Sequence, residues 1–119
     1  MHMDIDAIRQ IMLAVKESDS YVTEVEGMPR NVFNFNAMHL IEAGLVLGSI
    51  QESTRKDTQI KNYILIKHLT WQGLEFANSV ADDTLWEKVK RNAPKPADSW
   101  TFEIIKDYIK HEIATNRLS

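Results

Sequence analysis

The sequence predicts a mostly helical α+β domain with one small β-hairpin and a C-terminal helical extension. Three observations lead to this fold class. Apolar residues recur at helical spacing near both ends of the chain, two β-prone runs flank a polar segment at 51–62, and Gly44 and Thr70 stand where helices should end and begin. The 119 residues suit one domain over 1–119, with a core at 1–92, a connector at 93–98 and a last helix at 99–116.

The chain should begin with a helix. Asp4 is a suitable N-cap because its carboxylate can accept hydrogen bonds from the free N–H groups of the first turn. An apolar stripe follows at helical spacing, made of Ile5, Ile8, Met12 and Val15. Residues 21–25 alternate and are β-prone, which predicts a short strand. Gly27 and Pro29 then break the pattern, so any second helix in this region must be short or irregular.

A central helix is predicted next, within the segment 33–80 on which the fold assignment rests. Asn34 or Asn36 can cap it, and Gly44 suits the left-handed residue that ends many helices. Its expected buried stripe consists of Phe35, Met38, Ile41 and Leu45.

The hairpin follows the central helix. Strands at 45–50 and 63–66 enclose the polar loop, which would form a wing. Thr70 can cap the next helix, and Gly73 in its first turn would let that helix approach a strand closely. This order of elements is that of a winged helix-turn-helix with a β-hairpin wing.

The C-terminal part is predicted to be helical. Asp82 or Asp83 caps a short helix, and a proline-containing connector follows it. Asp98 or Ser99 would cap the last helix. Its apolar stripe is Phe102, Ile105, Ile109 and Ile113, and three further residues widen that stripe and are candidate dimer contacts: Trp100, Ile104 and Tyr108.

Two stretches resemble the DUF2513 family of bacterial and phage proteins. Residues 69–76 (LTWQGLEF) and 82–90 (DDTLWEKVK) are similar to its Leu-Thr-Trp-Glu-Gly-His-x-Phe pattern and the Asp-x-x-Trp-x-Lys helix that follows. Residues 4–12 and 39–46 also look like parts of that family. Gln72 and Leu74 depart from its usual Glu and His, so a polar role of those two residues would be absent here. The resemblance implies a winged-helix-like fold and a phage-related setting, and it implies no catalytic role.

Composition and charge narrow the possible partners and location. The net charge is −3, so nucleic acid could bind only at a local basic patch. The lack of cysteine excludes disulfides and thiolate chemistry. The N-terminus has no signal-peptide pattern, and no apolar run approaches the ~18–20 residues that span a bilayer. We therefore expect a cytoplasmic protein that does not contact a membrane.

No catalytic, cofactor or metal site is expected. His111 and Glu112 begin a zinc-protease motif, but position 115 holds threonine where that motif needs histidine. The four histidines lie on separate predicted elements, and the four glycines form no phosphate loop. We predict a protein that is not an enzyme and has no cofactor, metal or small-molecule substrate.

Double-stranded DNA and a second copy of the chain are the candidate partners. In a helix-turn-helix, residues near the start of the second helix reach base edges and wing cations contact phosphates. The candidate DNA contacts are Arg30, Asn34, Asn36, His39, Arg55, Lys56 and Lys61. The central helix itself carries no lysine or arginine, and Glu42 would repel phosphate. We predict a winged-helix DNA-binding or transcription-associated protein of phage or mobile-element type, and the alternative is a winged-helix protein-interaction or dimerisation module without DNA contact.

Overall fold

The computed structural model describes residues 3–52, 62–96 and 99–118. The elements are α1 (Ile5–Glu17), α2 (Arg30–Glu42), β1 (Val46–Glu52), β2 (Asn62–Leu69), α3 (Trp71–Val80), α4 (Asp83–Asn92) and α5 (Phe102–Leu118). These helices and the antiparallel β1–β2 hairpin confirm the mostly helical α+β class. Over the described ranges, no helix is both long enough and apolar enough for a membrane crossing.

The first helix is as predicted. The Asp4 carboxylate accepts hydrogen bonds from the backbone N–H groups of Asp6 at 3.0 Å and Ala7 at 3.1 Å. The apolar stripe is buried and includes two further residues; its members are Ile5, Ala7, Ile8, Ile11, Met12 and Val15. The face of α1 that packs inward is therefore set by the helical spacing of these residues.

Between α1 and α2 the chain forms a single bridge and a turn, so the strand predicted at 21–25 is wrong. The Val22 N–H donates to the Ile66 carbonyl at 2.9 Å, and the Val22 carbonyl accepts from the Ile66 N–H at 2.8 Å. Gly27 adopts a φ of 81°, and Pro29 lacks an N–H, which prevents both a longer strand and a helix here. The 18–29 connection is too long for the turn of about three to four residues in a helix-turn-helix. The predicted winged helix-turn-helix arrangement is therefore not confirmed.

The second helix begins at Arg30, so the caps predicted at Asn34 and Asn36 are wrong. Pro29 occupies the N-cap position with a φ of −58°, and no side chain caps the helix. The earlier start places both asparagines inside the helix. The predicted buried stripe is also shifted: the buried apolar residues of α2 are Phe33, Ala37 and Leu40, whereas Phe35, Met38 and Ile41 are half-buried.

The turn from α2 into the hairpin confirms the role predicted for Gly44. Its φ is 75°, its N–H donates to the Ile41 carbonyl at 3.1 Å, and the Leu45 N–H donates to the Leu40 carbonyl at 3.0 Å. This pair of bonds satisfies the last carbonyls of α2. In the hairpin Leu47 pairs with His68 and Gly48 with Ile66, so Lys67 is an extra residue in β2.

The junction between β2 and α3 confirms the predictions for Thr70 and Gly73. The Thr70 hydroxyl accepts from the Gly73 N–H at 3.1 Å and donates to the Gly44 carbonyl at 2.6 Å. An ideal Cβ at position 73 would lie 1.8 Å from the Leu45 carbonyl oxygen. Only glycine allows α3 to pack this closely against the start of the hairpin.

The last two helices cover α1 and α3. Asp82 caps α4 by accepting from the Leu85 N–H at 2.8 Å. The cap predicted for α5 at Ser99 is wrong, because Thr101 accepts from the Ile104 N–H at 3.2 Å and the helix begins at Phe102; the alternative cap, Asp98, lies outside the described residues. Ile105 and Ile109 join the residues of α1–α4 in one hydrophobic core, with Phe102 packed against it.

Candidate interaction surface

The first predicted DNA contact, Arg30, is held against the preceding connection. One guanidinium nitrogen donates to the Thr23 carbonyl, and the other lies 3.4 Å from the Glu24 carboxylate. The Arg30 side chain is about one-third exposed. Its charge is therefore balanced within the fold, and it links the start of α2 to the 18–29 connection.

Asn36 cannot contact DNA while the protein is folded, because it is completely buried. Its amide nitrogen donates to the Val32 carbonyl at 2.9 Å, and its amide oxygen accepts from the Asp4 N–H at 2.9 Å. Asn36 thus joins α2 to the start of α1. Asn34, two residues earlier, is half-buried and also makes an interaction within the fold.

His39 lies on the partly exposed face of α2. Its ring packs edge-on against Phe35 with the ring centres 4.6 Å apart, and its Nδ1 atom is 3.9 Å from the Glu42 carboxylate. Beyond Arg30 this face carries no lysine or arginine, and its residues are Asn31, Phe35, Met38, His39 and Glu42. The exposed side of α2 is therefore aromatic and acidic.

The remaining predicted cations belong to the wing. Arg55, Lys56 and Lys61 lie outside the described residues. Lys67, which the sequence analysis did not single out, is exposed on β2 because it is the extra residue of that strand.

The candidate dimer contacts on the C-terminal segment pack into the protein's own fold. Trp100 is 4% exposed, and its indole N–H donates to the Lys95 carbonyl at 2.9 Å. Its ring meets the Tyr108 ring edge-on at 5.3 Å. Ile104 and Tyr108 are partly buried against the same core. Trp100 is therefore buried in its own chain, and dimerisation through this segment stays a prediction.

Large exposed apolar side chains occur around the hairpin instead. Trp71 is 73% exposed, and Tyr21, Ile50 and Leu47 are 63%, 52% and 50% exposed. Leu47 pairs with His68, three residues before Trp71, and Tyr21 precedes the bridge to β2. We call Trp71, Tyr21 and Leu47 the hairpin surface; Ile50, three residues after Leu47 in the strand, points to the opposite face of the hairpin.

The sequence contains a signal for the hairpin surface in the positions of Leu47 and Trp71. Val46 and Leu47 are consecutive in a strand, so they must point to opposite faces, and only one face can meet the helices. Trp71 and Gly73 are two residues apart on α3, which separates them by roughly 200° around the helix. Because Gly73 faces the hairpin backbone, Trp71 has to point away from it.

A polar network that sequence analysis missed connects α1 with α3 and α4. Arg9 donates from Nε to the Val80 carbonyl at 2.6 Å and from Nη2 to the Ala81 carbonyl at 3.1 Å, and it pairs with Asp83. Its guanidinium lies 5.8 Å from the centre of the Trp86 ring. These bonds satisfy carbonyl groups at the end of α3, so the network stabilises the fold.

Asp6 extends this network to α4. Its carboxylate accepts from the Trp86 indole N–H at 2.9 Å and from the Lys90 ammonium at 3.1 Å. Burial lowers the pKa of Lys90, but the hydrogen bonds and charges of Asp6 and Glu87 outweigh that effect and raise the pKa above its ordinary value.

Among the concavities of the described residues, two lie beside α5, and these residues include no group of three potential metal ligands. One, of about 30 Å³, lies beside the buried Glu112, which accepts from the Asn92 amide at 3.1 Å. The other, of about 280 Å³, lies between the start of α5 and the turn after α2, where Leu45, Phe76 and Phe102 meet. Small-molecule sites usually measure about 300–1,000 Å³, so neither concavity is typical of one.

Comparison with known proteins gives one relationship. The model of a family described as hypothetical protein (DUF2513) matches residues 2–99. No curated protein and no solved structure showed significant similarity to the chain. The match covers every element from α1 to α4 and ends just before α5.

Proposed function

The chain belongs to the DUF2513 family, and we propose that it is a protein-interaction module that contacts its partner through the hairpin surface. The exposure of Trp71 carries this proposal. The other two tryptophans are buried, at 2% exposure for Trp86 and 4% for Trp100, and their indole N–H groups are hydrogen-bonded. Trp71 is 73% exposed on the first turn of a well-capped helix.

Trp71 has the properties of a binding anchor. Packed aromatic side chains bury about 150–250 Å² each, and Trp and Tyr are enriched among residues that dominate binding energy. Trp71 and Tyr21 are both exposed to water, and so is the aliphatic Leu47. The centres of protein interfaces are depleted of charge, which agrees with the three uncharged side chains of the hairpin surface.

Duplex DNA is the competing partner. The wing cations Arg55, Lys56 and Lys61 favour it, as does the exposed Lys67. The rest of the predicted DNA surface argues against it, because Arg30 is paired with Glu24 and Asn36 is buried. Phosphate contacts supply most non-specific DNA affinity, so DNA binding would depend on the wing alone.

Photo-crosslinking in cells tests the proposed role. A photoreactive phenylalanine analogue at position 71 of the full chain should form covalent adducts with protein. The same analogue at position 107, an exposed position on α5, is the matched control and should form few adducts. Absence of protein adducts from position 71, or equal yields from both positions, would contradict the proposal.

A gel-shift titration separates the proposal from DNA binding. We expect no retardation of random-sequence duplex at low salt. If DNA is the partner, retardation will occur, and Arg55→Ala and Lys61→Ala will each weaken it and lower the salt slope by about one unit. That result would overturn the protein-interaction proposal in favour of DNA binding through the wing.

A further inference from the structure

We propose that the concavity beside Glu112 binds a primary alkylammonium group, which a lysine side chain or a free amine would supply. The concavity lies between the end of α4 and the middle of α5 and shares no residue with the hairpin surface. Because α5 follows residue 99, the site depends on a helix outside the family match. It is therefore a binding site in addition to the hairpin surface.

Glu112 is a buried carboxylate with unused hydrogen-bonding capacity. The residue is 7% exposed, and its Oε1 atom accepts from the Asn92 side-chain amide at 3.1 Å. Among the described residues, Glu112 makes no other hydrogen bond and belongs to no ion pair. A carboxylate can accept about four hydrogen bonds, and a buried charge is costly unless an opposite charge pairs with it. Glu112 therefore favours a cationic ligand at its remaining acceptor positions.

The helix that carries Glu112 supplies no cation to it. Residues three and four positions away are the neighbours of a side chain on a helix. On α5 all four neighbours of Glu112 are uncharged: Tyr108, Ile109, Thr115 and Asn116. The bond from Asn92 requires only an acceptor, which glutamine would provide as well. The contacts of Glu112 within the described residues therefore do not explain why this position carries a negative charge.

The size of the concavity favours an ammonium group. Its volume is about 30 Å³, and a cavity needs about 10–15 Å³ to hold one water-sized group. An ammonium group is compact and carries three donors on one nitrogen, whereas the planar guanidinium group of arginine is wider and pairs with both oxygens of a carboxylate. One oxygen of Glu112 already accepts from Asn92, which disfavours that two-oxygen contact.

The walls of the concavity suit an alkyl chain next to the charge. The lining from α4 and the connector includes Val89, Ala93 and Pro94, and Tyr108 lines the concavity from α5. Alkyl stems of lysine pack along apolar surface of this kind. Asn92 and Pro94 are exposed, so the concavity can be reached from solvent. A primary alkylammonium therefore matches both the carboxylate and the apolar walls.

Titration of the isotope-labelled full chain with n-butylammonium, followed by nuclear magnetic resonance, tests the proposal. At constant ionic strength the signal of the Asn92 side-chain amide should shift and reach saturation. We expect n-butylguanidinium to bind roughly tenfold more weakly or worse, because it is wider and needs both carboxylate oxygens. Absence of a saturable shift, or equal binding of the two cations by the unmodified chain, would overturn the proposal.

Glu112→Gln provides the second measurement, because glutamine keeps an oxygen for the Asn92 amide and removes the charge. Its affinity for n-butylammonium should fall roughly tenfold or more, as expected for the loss of a charge-assisted hydrogen bond. The matched control is Glu103→Gln, at an exposed position roughly 13 Å away along α5, which should leave the affinity within about twofold of the unmodified chain. Equal affinities of the two variants would contradict an ammonium site at Glu112.

A second ligand distinguishes a lysine side chain from a free amine. Lysine capped as N-acetyl-lysine N-methylamide presents its ammonium group as a protein does. Binding as tight as that of n-butylammonium would assign the site to a lysine of a partner protein, whereas binding of n-butylammonium alone would assign it to a free amine; both results support the ammonium site. Crosslinking from position 71 does not involve this site, so failure of either proposal leaves the other intact.

Discussion

At the scale of single residues, the Leu45 carbonyl oxygen leaves no space for a side chain at position 73, so this position requires glycine. The roles of Gly44 and Thr70 at the ends of helices could be predicted from the sequence because they depend on near neighbours in the chain. The close approach at Gly73 could be predicted from glycine in the first turn of a helix after a strand, but its partner Leu45 could not. The role of Asn36 could not be predicted, because its partner Asp4 is 32 residues away. A cap and a buried bridging asparagine look the same in a sequence.

Gly73→Ala should destabilise the protein. Alanine in a helix is ordinarily favoured over glycine by about 1 kcal/mol. Here the added Cβ would lie 1.8 Å from a backbone oxygen, so α3 has to move away from the hairpin. We expect a net loss of about 2 kcal/mol or more in the free energy of unfolding, as for overpacked sites.

Urea denaturation followed by circular dichroism measures this loss, and Gly44→Ala is the control. The Cβ of that variant would have open space around it, so its only cost is the left-handed backbone conformation at a φ of 75°. Its cost should be about 1–2 kcal/mol. A Gly73→Ala protein as stable as the unmodified chain would show that the close approach does not constrain this position.

At the scale of elements, the boundaries set by local caps were predictable and those set by distant contacts were not. α1, α3 and α4 begin after Asp4, Thr70 and Asp82, as the sequence indicates. The run at 21–25 has strand-like alternation, but only Val22 reaches β2. Pairing requires a neighbouring strand along the whole run, and the pattern of one segment carries no information about that neighbour.

The contact between α1 and α4 should depend on pH in the alkaline range. The folded-state pKa of Lys90 lies above the ordinary value of 10.5, and the Lys90 side chain is 29% exposed. Because the folded pKa is the higher one, the stabilisation is fully present below pH 10.5 and is lost as pH rises through the folded pKa.

Comparison of the unmodified chain with Lys90→Gln measures this contribution. The difference in free energy of unfolding should be constant from pH 7 to about 10 and should shrink above that range. Lys88→Gln, on the same helix, should show no such trend. A difference that grows with increasing pH would mean that the Asp6 and Glu87 contacts do not favour charged Lys90.

At the scale of the whole molecule, α5 completes a core that begins with α1. Phe102 meets Phe76 of α3 edge-on, with ring centres 5.5 Å apart, and Ile105 is fully buried. The amphipathic pattern of α5 was predictable. The partner of that apolar stripe was not predictable, because the same pattern suits a contact with a second molecule as well as one within the fold. The burial of Trp100 was not predictable either, because it depends on the path of the connector. The exposure of Trp71 could not be predicted either, because it too depends on how distant parts of the chain pack.

Truncation of Ile105 should therefore destabilise the entire fold. Ile105→Ala removes buried methyl groups and leaves a cavity, with an expected cost of about 2–5 kcal/mol. Ile113→Ala, at a position that is 38% exposed on the same helix, should cost far less. Thermal unfolding measured by two probes, far-ultraviolet circular dichroism and fluorescence, checks both values. An Ile105→Ala protein that loses only α5, with the rest unfolding as before, would contradict the idea of a shared core.

The contrast among the three tryptophans gives the protein an optical label of its own. Two indoles are enclosed, so they should emit at shorter wavelengths and be protected from acrylamide, whereas Trp71 meets water. Most of the quenchable emission should come from one position and disappear in Trp71→Phe. Any molecule that covers the hairpin surface should shift that emission to shorter wavelengths, so binding can be followed by intrinsic tryptophan fluorescence.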